Sequence, residues 1–217
     1  LQTPALFGEY ADWVRSLLTS FGLDPAELVN HLGALGDAVA MALPGHLAEA
    51  PLRYLAAAIE RLTAGHVELS SFVRPEAPLG VLACDYLGAL LEGDRARALR
   101  LIREAAEAGT PVKDIYAHVF QPCQYEIGRL WQTHQISIAE EHYCTAITQT
   151  SVSQLYPLIF NADRAGRRLV ATSVDGNLHE IGARFVADFF EMAGWDTFYL
   201  GASTPTQDVI DEVSRRR

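Results

Sequence analysis

Apolar residues recur at helical spacing through most of the chain and crowd into short β-branched runs only near its end. Three zones separate on this basis. In the first, about Thr3 to Leu62, Trp13, Leu17, Leu18 and Phe21 fall on one helical face, and Gly22 marks the stop. Asp24-Pro25 reads as N-cap and first turn of a second helix with Leu28, Leu32 and Leu35 along one side. Pro44-Gly45 breaks the pattern and Leu52 to Leu62 resumes it. Thr63 to Gly80 carries Gly65, Pro75, Pro78 and Gly80, the composition of a linker or irregular connection.

The second zone, about Val81 to Phe160, predicts four helices. Leu82 to Leu91 is the first, and Gly93-Asp94 ends it and caps the next, which Ala98, Leu99, Ile102 and Ala106 line and Gly109 terminates. Thr110-Pro111 supplies an N-cap and first-turn proline for a third helix running towards Trp131, with Pro122 expected to kink it. Ser137 to Glu140 fits the S-x-x-E capping box and opens the fourth. Short connections make neighbouring helices antiparallel, hence a small bundle.

The third zone changes period. Arg168 to Val174 predicts a buried strand, Asp175 to Glu180 a loop, and Ile181 to Met192 a helix ended by Gly194. Trp195 to Leu200 is a second strand, Gly201 a turn, and Thr204-Pro205 opens another helix. This βαβα order is the start of an open parallel sheet. Doubly wound sheets normally have about five or six strands, so the last domain is expected to be represented by roughly its first half. The expected domains are 1–80, 81–163 and 164–217.

Composition narrows the function. The 217 residues are 49% hydrophobic and 20% charged, with a net charge of −10, which excludes a disordered chain and disfavours a general binder of nucleic acid or anionic membrane. No apolar run reaches the roughly 20 residues of a membrane span. Cys84, Cys123 and Cys144 are odd in number and far apart, so they read as small buried hydrophobes in a reducing cytoplasm. The chain opens on Leu1, consistent with a piece of something longer. His118 reads as an interior polar residue and His134 as a loop residue, while His31, His46 and His66 sit on solvated helix faces. Arg215 to Arg217 reads as a solvated tail.

In open α/β sheets ligands bind beyond the carboxyl ends of the strands. The loop after the first predicted strand reads Asp175-Gly-Asn-Leu-His179-Glu-Ile-Gly182. A neutral imidazole there can reach a metal outside the sheet edge, and Gly182 removes a side chain that would block a large planar ligand. A plain surface histidine in a polar loop is the other reading of the same spacing.

Asn177-Leu-His179-Glu-Ile-Gly182 resembles the D-x-H-x-x-G motif of cobalamin-binding domains, in which the histidine is the lower cobalt ligand. Gly194 to Gly201 resembles that family's second strand. Leu90-Leu-Glu-Gly-Asp94, Glu126-Ile-Gly128, Leu130-Trp131, Ile136-Ser137 and Glu140-Glu141-His142 resemble its helical cap. The resemblance spans about Val81 to Val213. It implies an N-terminal helical segment, a four-helix-bundle cap and the start of a truncated Rossmann-like, flavodoxin-like cobalamin-binding domain. The family's carboxylate two before the histidine is Asn177 here, which can accept the same hydrogen bond without adding charge.

The W…EH pattern of Trp131, Glu141 and His142 is similar to that of CarH-like photoreceptors, where these residues face the adenosyl group or upper cobalt face. That resemblance implies a light sensor holding adenosylcobalamin, with His142 taking the vacated cobalt face after photolysis and with light-dependent homo-oligomerisation acting on an output domain or partner. No basic recognition helix is present, so direct DNA binding is not expected. The N-terminal zone is compatible with the photocobilin subgroup, whose second chromophore is a bilin such as biliverdin. The alternative is a corrinoid methyl carrier serving a methyltransferase, itself not an enzyme.

Overall fold

The computed structural model describes residues 4–65, 70–160 and 163–216, so His66 and Arg217 lie outside the described residues. The helices are α1 (Pro4–Ser20), α2 (Ala26–Ala42), α3 (Gly45–Thr63), α4 (Gly80–Leu91), α5 (Arg95–Glu107), α6 (Val112–Ile115), α7 (Gln121–Gln132), α8 (Ile138–Ile159), α9 (Ile181–Glu191) and α10 (Thr206–Arg215). A π-helical turn, Tyr116–Phe120, joins α6 to α7, and the strands are β1 (Arg168–Ala171) and β2 (Asp196–Tyr199). The chain divides into two compact units: Leu1–Ser71 with Ile127–Ile138, and Phe72–Glu126 with Ala139–Arg217.

In the first unit α3 packs on both α1 and α2. The core is Ala11, Leu32, Leu55, Ala58 and Leu62. The buried face of α1 is Gly8, Ala11, Asp12, Arg15 and Ser16. The expected Trp13, Leu17, Leu18 and Phe21 face is therefore not the buried one, and Trp13 and Phe21 are exposed. The reason is that two charges satisfy each other and a helix end. Arg15 donates to Asp12 Oδ1 at 2.9 Å, to the Leu62 carbonyl at 3.1 Å and to the Gly65 carbonyl at 2.7 Å. Arg61 pairs with the other oxygen of Asp12. Carbonyls at the end of α3, which helix geometry leaves without partners, are thus capped by a guanidinium whose own charge is compensated.

A boundary and a second helix face also differ from the sequence expectation. Helix α3 begins at Gly45 and runs through Pro51. Its first turn is held by the Leu47 and Ala48 N–H groups donating to the Pro44 carbonyl, at 2.8 and 3.0 Å, so the loss of one interior bond at Pro51 is tolerated. Leu35 is exposed, and α2 instead buries Leu32, with Leu28, Val29 and Val39 packed beside the core.

The second unit holds the helical bundle. Helix α4 packs on α5 and on the π-turn. Asp94 caps α5 by accepting from the Arg97 N–H at 2.9 Å, as the Gly93-Asp94 signal predicts. The fully buried Tyr86 hydroxyl lies 3.0 Å from Ser151 Oγ and 3.2 Å from Thr148 Oγ1, tying α4 to α8. Cys123 and Cys144 are buried and Cys84 partly so, as expected of small hydrophobes. Upstream of Pro122 the helix takes a π-turn, in which the Gln121 N–H reaches the Tyr116 carbonyl. Proline cannot donate and crowds the carbonyl four residues back, so the ladder is re-registered just before it.

The same unit carries the α/β segment. Strands β1 and β2 pair in parallel, Arg168 opposite Asp196 through Ala171 opposite Tyr199. Parallel neighbours need a crossover, and α9 provides it, packing on both strands while α10 contacts β1. Bonding continues past the strands through the Leu200 N–H to the Ala171 carbonyl and the Ser173 N–H to the Gly201 carbonyl, so Ser173 stays in line with the strand as expected. Bundle and α/β segment meet through aromatic rings: Tyr116 lies 4.8 Å from Phe185 and 6.0 Å from Phe189, and its hydroxyl donates to Asp188 at 2.9 Å. Arg184 of α9 donates to the Tyr156 hydroxyl and to Ser153 Oγ of α8, both at 3.0 Å.

Candidate functional site

The loop from Val174 to Glu180 lies at the carboxyl end of β1, where the open-sheet rule puts ligands. Its turn is closed by the Asn177 N–H donating to the Val174 carbonyl at 3.0 Å. Gly176 takes a φ of 79°, a conformation glycine adopts freely, and its N–H donates to Ser203 Oγ at 3.0 Å in the loop after β2. The two strand ends therefore support one loop.

His179 is exposed at the end of this loop. Asn177 Oδ1 accepts from the His179 backbone N–H at 2.9 Å and lies 3.0 Å from His179 Nδ1. A backbone N–H only donates, so the atom facing it is an oxygen. The same oxygen facing the ring then makes Nδ1 the donor. That tautomer leaves the lone pair on Nε2, for which no hydrogen-bond partner exists among the described residues. A bare Nε2 with its opposite nitrogen held by an oxygen is the arrangement of a metal-ligating histidine. No group of three or more His, Cys, Asp or Glu side chains that could cage a metal exists among the described residues. A metal held by His179 would therefore have to bring most of its ligands with it. A Cβ placed on Gly182 would have nothing within 4 Å, so the first turn of α9 is open at this position.

The main chain around His179 is pinned on several sides. Ser173 Oγ donates to the His179 carbonyl at 2.7 Å. The Tyr199 hydroxyl, at the end of β2, lies 3.1 Å from the Glu180 carbonyl and 3.3 Å from Glu180 Oε2. Burial, and after it the Glu180 carboxylate, pushes the Tyr199 phenol up, so it stays a donor. Gln149 of α8 donates to Glu180 Oε1 at 2.9 Å. Sequence reading missed Ser173, Glu180, Tyr199 and Gln149 as site residues. Adjacency to His179 was the available signal for Glu180, and Gln149 carries none.

At the start of α8, Glu141 and His142 lie together, with His142 Nε2 3.5 Å from Glu141 Oε2 and the imidazole exposed. Glu141 Oε1 is 3.1 Å from Thr145 Oγ1. Glu141, Thr145 and Gln149 repeat every four residues and share one face of α8. That face leads from the Glu141–His142 pair to the carboxylate beside His179. Trp131 is half-buried near the end of α7 and belongs to the first unit, whereas Glu141, His142, Asn177, His179 and Gly182 belong to the second. Of the other histidines, His134 has a φ of 55° and stacks edge-on against Phe21 at 4.6 Å. His118 is half-buried, and His31 and His46 are exposed as expected.

Residues 82–156 match a family model described as B12 binding domain. Monomethylamine corrinoid protein 1 of Methanosarcina mazei is 26% identical over 133 residues, 59% of this chain and 61% of the relative. Monomethylamine corrinoid protein 2 of Methanosarcina acetivorans is 24% identical over 132 residues with the same coverage. The chain thus spans about three fifths of the length of these relatives. The solved structure of the Methanosarcina barkeri monomethylamine corrinoid protein aligns with a TM-score of 0.57 at 18% identity, covering 64% of this chain and 65% of that one. No helix among the described residues is long and apolar enough to cross a membrane. Residues 82–156 are therefore similar to a B12-binding domain, and the chain has the fold of a helical cap followed by a Rossmann-like α/β segment.

Proposed function

We propose that this chain binds cobalamin through His179 as the lower cobalt ligand and acts as a corrinoid carrier within a methyl-transfer system. The observation that carries the reading is the bare Nε2 of His179 at the carboxyl end of β1, its Nδ1 held by Asn177. The B12-binding match over the bundle and the corrinoid proteins among the relatives support it. When bound, the corrinoid supplies a cobalt centre that accepts and gives up a methyl group. Asn177 orients the imidazole, Gly182 leaves room for the macrocycle, and Glu141 and His142 are the cap residues of the same unit that would face it. The carrier performs no chemistry alone and works with a partner methyltransferase. The light-sensing reading rests on the sequence pattern of Trp131, Glu141 and His142, and no relative named above speaks for an adenosyl ligand, a light-dependent oligomer or a bilin.

Loading with cobinamide, which carries no nucleotide base, and recording absorption tests the ligand. The wild type is expected to give a nitrogen-ligated, base-on-like spectrum, and His179→Ala to bind weakly or to keep the spectrum of the free cofactor. An unchanged spectrum and affinity would remove His179 from the site. Competition between methylcobalamin and adenosylcobalamin tests the role. A carrier holds the methyl form at least as tightly. Strong adenosyl preference together with altered elution after green light would return the sensor.

A further inference from the structure

Glu180 sits at the N-cap of α9, where a carboxylate ordinarily accepts from its own helix. Its side chain makes no such cap. It accepts instead from Gln149 of α8 at 2.9 Å and lies 3.3 Å from the Tyr199 hydroxyl. Its carbonyl accepts from the Arg184 N–H at 3.0 Å and faces the Tyr199 hydroxyl at 3.1 Å. The residue directly after the proposed ligand is thus fixed by its own helix, by β2 and by the bundle. Among the described residues the Gln149 bond alone reaches its side chain from the bundle, and Gln149 lies two turns along the same face from Glu141, about 12 Å of helix rise.

We infer that Glu180 is a positioning residue that couples helix α8 to the His179 loop and so sets the strength of the axial histidine bond. The inference rests on the reading of His179 as lower ligand. Ser173 and Tyr199 fix the main chain from the sheet side, while the Gln149–Glu180 bond makes the angle of the loop follow α8. Any movement of α8 on loading of the upper face is then felt at the lower ligand. Cutting the bond leaves His179 present but less constrained.

The probe is cob(II)inamide, which has no nucleotide base, so nitrogen splitting in its electron paramagnetic resonance spectrum reports a protein histidine alone. The wild type is expected to show that splitting and His179→Ala to lose it. Gln149→Leu and Glu180→Leu are expected to show a mixture of split and unsplit signals and to bind about tenfold more weakly, the lower end of the range for outer-shell partners. Glu180→Gln, which still accepts from Gln149, is expected to keep most of the splitting. Circular dichroism melts of the cofactor-free variants establish folding, and Gln149→Leu decides alone if Glu180→Leu does not fold. Absence of splitting in the wild type would overturn His179 as ligand. Full splitting and unchanged affinity in Gln149→Leu would overturn the coupling while leaving His179 in place.

Discussion

At the scale of single residues, Asn177 departs from the motif that the loop resembles and still makes the motif's hydrogen bonds. Its Oδ1 serves both the backbone N–H and Nδ1 of His179. Asn177→Leu removes both, and cobinamide binding is expected to weaken by about 10–100-fold. Asn177→Asp retains the acceptor and adds charge, which raises imidazole basicity, so binding is expected to tighten. Isothermal titration of both variants checks the pair, and equal affinities would deny Asn177 any role. Two carboxylates one turn apart on α9 behave oppositely. Burial raises Asp188, and the Tyr116 hydroxyl and Arg184 offset that only in part. Burial also works upward on Glu191, but Thr197 and Arg164 outweigh it and hold the group low. A raised carboxyl binds its proton more readily in the folded state, so ionising Asp188 costs stability as pH rises through its unfolded and then its folded pKa. Glu191 contributes stability above its unfolded pKa that is lost as pH falls through the folded one. In urea unfolding from about pH 4 to 7, Asp188→Asn is expected to gain stability relative to wild type with rising pH, while Glu191→Gln falls progressively behind. Parallel curves for the two variants would show that neither environment is as described.

At the scale of elements, the segments whose ends carry turn chemistry were legible in the sequence. Gly93-Asp94 starts α5 at Arg95, the third zone gives β1, α9, β2 and α10 in order, and the His179 loop falls where the period changes. The buried face of α1 was not legible, because hydrophobic periodicity counts Trp13 and Phe21 as core and cannot see that Asp12 and Arg15 find partners on α3. The π-turn was legible only as a disturbance at Pro122. Gly80 is another case hidden from periodicity. It opens α4, and a Cβ there would overlap the Arg74 carbonyl oxygen and stand 2.7 Å from that of Pro75. Both obstacles are backbone, so neither can swing aside. Gly80→Ala is expected to cost at least about 2 kcal/mol, high in the usual range for overpacking. Chemical denaturation measures it, and a loss below about 0.5 kcal/mol, typical of surface changes, would mean that the 74–80 turn is pliable.

At the scale of the whole molecule, the residues proposed for the site divide between the two compact units. The loop at 174–180, Gly182 and the Glu141–Thr145–Gln149 face belong to one compact unit, whereas Trp131 belongs to the other. Sequence order put Trp131 next to Glu141 and His142 because only a short loop separates them, and that proximity along the chain is what the sequence could supply. Hydrogen exchange read by mass spectrometry, with and without cobalamin, separates the contributions. A ligand that binds only the folded state at about 100 times its Kd adds about 2.7 kcal/mol against global opening. Protection against local opening concentrates where the ligand touches. Peptides over 174–182 and the first three turns of α8 are expected to slow most, and those over 127–136 to slow with them if Trp131 lines the upper face. Peptides from α2, which packs on α3, are expected to slow least. Slowing at 174–182 with none at 127–136 would take Trp131 out of the cofactor site and leave the upper face to Glu141 and His142.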